Sequence, residues 1–372
     1  MKDMMGLIFS DSNESRLNEL TEKRSTRALP FGGRYRLIDF ILSNMVNSGI
    51  VNVGVMTQIN YSSLMDHLGS GAPWDLNRKH YGLFILPPYI RGGVMGLSAG
   101  NVDQLYGVLT FLRRSRQQYV LLASGNVVCN ITFREALEMH IEKNADITAI
   151  YNEENIADKG FNEYTAYDVD EDGRVTKIEH NPHFPKSNCV GMEMFIVERL
   201  RLIEMIEEAY AIGAHDFIRD VLLANLKNLN IYGYKFDGFV GRVDSVRSYY
   251  ENNMKMLETD VRRELFEGEN LIYTKVKDQV PTHYGNNASV TDSLIADGCE
   301  INGVVENSII FRGVHIGGGS IVRNCIVMQN SVIEENCELD SVVIDKECTL
   351  RQGQRLIGQA SFPVILPKRT LL

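Results

Sequence analysis

The sequence holds no apolar run near the roughly 20 residues that a membrane-spanning helix needs. Its opening residues, Met1–Ser10, have no long apolar stretch followed by a small-residue cleavage site, so export is not expected and a cytoplasmic location is. An excess of basic residues is missing too: 38 Lys and Arg against 48 Asp and Glu give a formal net charge of −10. A field of that sign repels phosphate backbones and anionic lipid, which disfavours nucleic acid and membrane as partners. Any phosphorylated ligand therefore needs a local basic pocket. None of the six cysteines forms a C-x-x-C pair, and four of them (Cys299, Cys325, Cys337, Cys348) lie towards the C-terminus. Buried reduced thiols are expected there rather than a disulfide framework or a zinc site.

What is present is enough apolar residue, 44% of 372, for a large core and two domains. The first 260 or so residues alternate strand-like and helix-like runs, as an α/β domain does. Strands are expected at Met4–Phe9, Val51–Met56, Tyr119–Ala123 and Asp146–Tyr151, with a polar loop from the first strand through Arg27. Helices are expected at Tyr35–Ser48, stopped by Gly49, and at Asn101–Arg113 and Thr132–Lys143. Tyr164–Val169 and Val175–Glu179 flank Asp172-Gly173, a hairpin signal. Asp216 is placed to cap a helix reaching Leu226, and Asp244 another reaching Glu258.

The C-terminal segment changes character. Asp292-Ser293-Leu294-Ile295, Asn307-Ser308-Ile309-Ile310, Asn324-Cys325-Ile326-Val327 and Asp340-Ser341-Val342-Val343 align as a repeat of about 16 residues. Within it aliphatics recur six apart (Ile310, Ile316, Val322), and Cys299, Ser320 and Cys337 follow four positions after a leading aliphatic. Three short flat strands per turn explain this spacing: the aliphatic points into a narrow prism, and only a small side chain fits beside it at the corner. A parallel β-helix is the expected fold. The boundaries expected are 1–260 for the first domain, 261–285 for a linker and 286–372 for the β-helix.

One segment is specific. Pro30-Phe31-Gly32-Gly33-Arg34-Tyr35-Arg36-Leu37-Ile38-Asp39-Phe40, followed by Leu42-Ser43-Asn44 and Asn47-Ser48-Gly49-Ile50, resembles the sugar-nucleotide pyrophosphorylases, and among them the glucose-1-phosphate adenylyltransferases. Gly54–Gln58, Gly71–Leu76, Leu86–Tyr89, His215-Asp216-Phe217 and Phe311-Arg312-Gly313-Val314 extend the likeness over nearly the whole chain. Taken alone, Gly32-Gly33 reads as no more than a turn before a helix. The resemblance implies an α/β Rossmann-like nucleotidyltransferase domain with a mixed, mostly parallel sheet, followed by a left-handed parallel β-helix. It also implies tetramers, glycogen synthesis, and a reaction joining glucose 1-phosphate to ATP with Mg²⁺ neutralising the phosphates.

The sequence departs from that family where the chemistry sits. Active members carry a glycine-rich loop after the first strand, and this chain has Ser10–Leu17 without a glycine, Asp11 and Glu14 adding negative charge. Arg16 remains, and a different loop that still takes ATP is an open alternative. Thr26 stands where the family has a phosphate-binding lysine, with Arg27 beside it. Asn126, in Ser124-Gly125-Asn126, and Phe239, before Val240-Gly241-Arg242-Val243-Asp244, occupy the two metal-carboxylate positions. A neutral amide weakens Mg²⁺ binding and a phenyl ring cannot provide it. No catalytic residue and no metal ligand is therefore assigned, and no cofactor is expected for this chain. Mg²⁺ belongs to an active partner.

On the sugar side His180 replaces a lysine, while Glu179 and Asp216 are retained as remnants of the pocket. Gly100 and Asp103 join Arg16 as remnants of the nucleotide site. Gln58 and Arg34 fall at positions the family links to regulation, although Leu97-Ser98-Ala99 replaces an aromatic relay motif. The resemblance is nearest to the GlgD-type regulatory subunits of Gram-positive bacteria. It implies a catalytically impaired subunit in a heterotetramer with an active paralogue, homo-oligomers and a sugar-phosphate or nucleotide effector remaining open. Two other readings are an active adenylyltransferase with an atypical metal site, using Asp11, Asp237 or Asp244, and a β-helix acyltransferase, for which His283 and His315 are the available bases.

Overall fold

The computed structural model describes residues 3–9, 14–57, 60–88, 100–155, 164–183 and 186–372. They belong to two compact units, each discontinuous in sequence: Met1–Ser12 with Phe40–Val240, and Asn13–Asp39 with Gly241–Leu372. The expected cut at residue 260 does not coincide with these units. Inside the second one, Tyr249 Oη donates to Pro30 O at 2.6 Å, Gly32 N donates to Asn253 Oδ1 at 2.9 Å, and Tyr250 Oη donates to Asn324 O at 2.7 Å. Residues 14–39 and the helix at Val246–Met254 are thereby folded with the β-helix.

The first unit is built on a nine-stranded sheet. Its strands are β1 (Met4–Phe9), β2 (Asn52–Met56), β3 (Gly82–Leu86), β4 (Tyr119–Ser124), β5 (Ile147–Glu153), β6 (Thr165–Val169), β7 (Val175–His180), β8 (Cys189–Glu198) and β9 (Ile231–Lys235). The order is β9-β5-β8-β4-β1-β2-β3, with β6 and β7 added as a hairpin beside β8. β1 is parallel to β2 and β4, β2 to β3, and β5 to β9, whereas β8 runs antiparallel to β4 and β5. Central strands buried on both faces explain why Val120, Leu121, Leu122 and Ala123 form a continuous apolar run.

Met5, Leu7 and Phe9 share one core with the helices at Asn101–Gly107, Leu109–Arg114 and Arg199–Ala211. Gly6, one residue out of phase and so on the opposite face, leaves room for the helix at Leu37–Asn47: a Cβ there would lie 2.5 Å from Met45 Sδ. Several local expectations are corrected. The first turn expected for that helix, Tyr35-Arg36, pairs instead with Pro30-Phe31 as a short antiparallel ribbon. The helix expected over 101–113 is broken at Val108, and the polar loop before Arg27 contains tight helical turns at Glu14–Leu20 and Thr26–Ala28. Asp216 caps a wide π-helical turn, Phe217–Leu223, shorter than expected. Ser245 caps the helix at 246–254, in place of Asp244.

In the second unit three five-stranded parallel sheets make the β-helix. The first turn begins at His283–Tyr284, inside the segment expected as a linker. Ile301, Ile316, Ile333 and Leu350 stack in register along one sheet and are fully buried. The corners need left-handed backbone, supplied by Asn307, Asn324, Asn330 and Asn336 with φ of 44°, 50°, 58° and 56°.

The small corner residues do more than fit. Cys325 N donates to Ser308 Oγ at 3.0 Å, Cys337 N to Ser320 Oγ at 2.9 Å, and Cys348 N to Ser331 Oγ at 3.3 Å, each spanning one coil. All four cysteines of this region are buried free thiols. Burial raises the Cys325 thiol to about 12, so it is an inert donor to Arg323 O.

Candidate functional site

Asn126 and Phe239 follow the ends of β4 and β9, each of which has a parallel neighbour, and strand ends of this kind are the usual place for a ligand crevice in an open α/β sheet. β4 ends at Ser124, and two residues later Asn126 turns its amide back: Ser124 Oγ donates to Asn126 Oδ1 at 2.6 Å. The oxygen at the first metal-carboxylate position is thus neutral and already in use. Phe239, four residues beyond β9, is half-buried. Asp237, the neighbouring carboxylate, is 79% exposed and pairs with Lys235 at 3.0 Å, while Lys235 also meets Glu153 at 3.1 Å. These two carboxylates hold the Lys235 ammonium above its ordinary range. Asp244 belongs to the second unit, where its Oδ1 accepts from Ser248 Oγ at 2.8 Å.

Two of the three residues expected on the sugar side, His180 and Asp216, lie near one another. β7 ends at His180, whose Nδ1 is 3.1 Å from Thr165 Oγ1 on the paired strand and whose Nε2 is 3.9 Å from Asp216 Oδ2. Glu179 is drawn elsewhere. It binds Lys177 and accepts from Lys186 N at 3.1 Å, and those two bonds lower its carboxyl below the usual range.

Of the nucleotide remnants, Gly100 and Asp103 stand at the start of the helix at 101–107 and lock onto residues 215–217. Asp103 Oδ2 lies 3.1 Å from His215 Nδ1, Val102 N donates to His215 O at 3.1 Å, and Phe217 N donates to Asn101 Oδ1 at 2.7 Å. A Cβ on Gly100 would lie 2.0 Å from His215 O, so no other residue fits. Asp220 joins the two clusters: its Oδ2 accepts from both His215 N and Asp216 N at 2.9 Å. The Arg219 guanidinium bonded to it, with these N–H groups, holds the Asp220 carboxyl far below the usual range.

Arg16, Thr26 and Arg34 belong to the second unit, Thr26 buried and Arg34 exposed on the turn at Gly32-Gly33. Gln58, Ser10–Asn13 and Leu97–Ala99 lie outside the described residues. Sequence reasoning missed Thr165, Lys177, Lys186 and Asp220. Ser124 and His215 carried a signal, within Ser124-Gly125-Asn126 and His215-Asp216-Phe217. The other partners are common polar residues that the hairpin, the strand end and the π-turn bring into reach.

A mostly parallel sheet with this polar cluster at its strand ends, joined to a hexapeptide β-helix, defines a nucleotidyltransferase of the sugar-nucleotide pyrophosphorylase class. Residues 5–259 match the nucleotidyl transferase family and residues 278–361 the GlmU-like C-terminal hexapeptide family, and the chain belongs to the ADP-glucose pyrophosphorylase branch of these proteins. It is 34% identical to the glycogen biosynthesis protein GlgD of Bacillus subtilis, over 98% of this chain and 96% of that protein. It is 35% identical to a glucose-1-phosphate adenylyltransferase of Pseudothermotoga lettingae, over 87% and 77% of the two chains. The corresponding figures for an adenylyltransferase of Clostridium perfringens are 32%, 100% and 97%.

At Asn126 and Phe239, the positions expected to hold the Mg²⁺ that such a family implies, the residues present do not fit it. Among the described residues no group of three or more His, Cys, Asp or Glu could hold a metal ion. The two positions that should supply carboxylates offer an engaged amide and a phenyl ring.

Proposed function

We propose that this chain works in glycogen biosynthesis as a catalytically impaired, regulatory subunit that assembles with an active paralogous glucose-1-phosphate adenylyltransferase. The observation that carries this reading is Asn126: its carbonyl oxygen is neutral and accepts from Ser124 Oγ at 2.6 Å. Attack of a sugar phosphate on the α-phosphorus of ATP builds charge on the α-phosphate and on leaving pyrophosphate. With no carboxylate pair to hold a cation there, that charge goes unneutralised, and losing several kcal/mol of stabilisation lowers turnover by orders of magnitude.

What survives is positioning. The lock between residues 100–103 and 215–220 holds two helix starts together through backbone N–H groups donating to His215 O, Asn101 Oδ1 and the Asp220 carboxylate, and through a His–Asp contact, none of which needs a metal. His180 and Asp216 keep a polar pocket able to meet sugar hydroxyls, although an imidazole is shorter than a lysine side chain and reaches a phosphate less well. Preserved packing with altered chemistry is what selection through a subunit interface leaves, and coupling between packed subunits is worth about 1–3 kcal/mol.

The reading of this chain as an active adenylyltransferase needs a replacement carboxylate, and Asp237 is tied to Lys235, which Glu153 also engages. The acyltransferase reading needs a histidine base, yet His283 is exposed and His315 Nδ1 faces Glu300 at 3.3 Å. The test is ADP-glucose synthesis with Mg²⁺ and ATP, by this chain alone and mixed with its active paralogue. Little turnover alone and a changed rate or substrate affinity in the mixture is the expected result. Substantial turnover alone would overturn the proposal. The double variant Asn126→Asp with Phe239→Asp is expected to stay inactive, because the glycine-free loop is unchanged.

A further inference from the structure

Lys346, in the second unit, is a half-buried amine that the proposed function leaves unused. It stands two residues beyond the β-helix strand Val342–Ile344, next to Asp345. Both oxygens of that carboxylate are already engaged. Oδ1 and Oδ2 accept from Arg24 Nη2 at 2.7 and 2.6 Å, and Oδ1 also accepts from the Lys346 backbone N–H at 2.7 Å. Among the described residues no hydrogen bond or ion pair engages the Lys346 amine itself. Of the charges that bear most on it, Arg36, Arg24 and Lys277 are cations and Asp345 alone is an anion.

An ammonium group is disfavoured twice in this setting. Burial strips its water and the neighbouring cations repel it, which lowers the amine from 10.5 to about 6. Near neutral pH Lys346 is therefore largely a free amine with its lone pair available, and desolvation beside other cations is how proteins make lysine a nucleophile. The side chain is half-buried and not enclosed, so a very small electrophile reaches it. An aldehyde or ketone would turn the amine into an imine and leave the surrounding positive charge uncompensated. Carbon dioxide would turn it into an anion, the one kind of group that this cluster of three cations and one engaged carboxylate lacks.

We propose that Lys346 is a site of carbamylation by carbon dioxide, the carbamate being stabilised in the field of Arg36, Arg24 and Lys277. The nitrogen lone pair bonds to the carbon of carbon dioxide, and one C=O electron pair moves onto oxygen. The nitrogen then releases one proton to solvent, leaving –NH–COO⁻; nothing is oxidised or reduced. Arg24 and Arg36 belong to residues 14–39 and Lys346 to the β-helix, so the new charge draws together two segments of the same unit. Carbon dioxide becomes a ligand of that unit. The inference stands apart from the regulatory reading, since it concerns modification and not turnover.

The test is to incubate the full chain with isotopically labelled bicarbonate near neutral pH, fix any carbamate as its ethyl ester with triethyloxonium, and map the ester by peptide mass spectrometry. One ester per chain is expected, at Lys346, saturating as bicarbonate rises. Lys346→Arg, whose guanidinium stays protonated, removes it. Arg36→Gln raises the bicarbonate needed for half-saturation about tenfold, and Lys277→Gln, on an exposed side chain, raises it by a smaller factor. No ester at Lys346 at any bicarbonate concentration, or ester spread evenly over the lysines without saturation, would overturn the proposal.

Discussion

The two units differ in how they use polar side chains. At the corners of the β-helix the contacts repeat: Ser308, Ser320 and Ser331 accept from the N–H of a cysteine 17 residues on, and Asn307 donates to Asn324, which donates to Asp340. In the sheet unit the site polar groups are singular, each pair made once, by residues up to 116 positions apart. A repeated contact supports the architecture and fails only with the fold. A singular contact at a strand end is retained for what it holds in place. The second unit also contains singular contacts of its own, among them an ion pair: Arg24 donates to both oxygens of Asp345 at 2.6 and 2.7 Å, both residues almost fully buried.

Breaking that pair tests the contrast most severely. Arg24→Leu strands the Asp345 charge and should cost about 3–5 kcal/mol in urea denaturation. A loss under about 1 kcal/mol would mean that the pair is solvated. Within the repeat, Ile316→Ala removes one rung of the fully buried stack and should cost about 2–5 kcal/mol, with the two units losing structure at different denaturant concentrations.

In the sheet unit His140 supplies a pH signature. Burial lowers it from 6.5 to about 4, with Nδ1 2.9 Å from Thr148 Oγ1. The unfolded chain therefore takes up the proton first, so stability is full above pH 6.5 and falls as pH drops from 6.5 to about 4. The loss reaches about 3 kcal/mol and should vanish in His140→Gln. Ser320→Ala leaves Cys337 N and Glu334 O without their hydroxyl partner and should cost about 1–3 kcal/mol. The smallest effect is expected at the site: Asp103→Asn, beside a His215 side chain that is 45% exposed, should cost under about 1 kcal/mol. A larger cost there would show that the 100–103 lock supports the fold as well.

The repeat was readable in advance because its signal is periodic: the six-residue aliphatic spacing and the small corner residues follow from the prism's geometry alone. The continuous apolar runs of β1, β2 and β4 were equally legible. Boundaries were less so. The Val108 break and the Tyr35-Arg36 ribbon lie in stretches whose apolar spacing suits an unbroken helix, and tertiary pairing overrides it. At the site, His180 and Asp216 were legible as motif positions, but their meeting at 3.9 Å depends on a hairpin and a π-turn joining distant segments.

Composition, periodicity and motif positions by themselves determined the α/β-plus-β-helix architecture and the absence of carboxylates at Asn126 and Phe239, because each is written in local residue identity. Only the tertiary structure decided that residues 14–39 fold with the β-helix, that Asn126 Oδ1 is engaged by Ser124, and that His180 and Asp216 come within 3.9 Å. Those facts depend on which distant side chains arrive at the same place, and no local pattern encodes that.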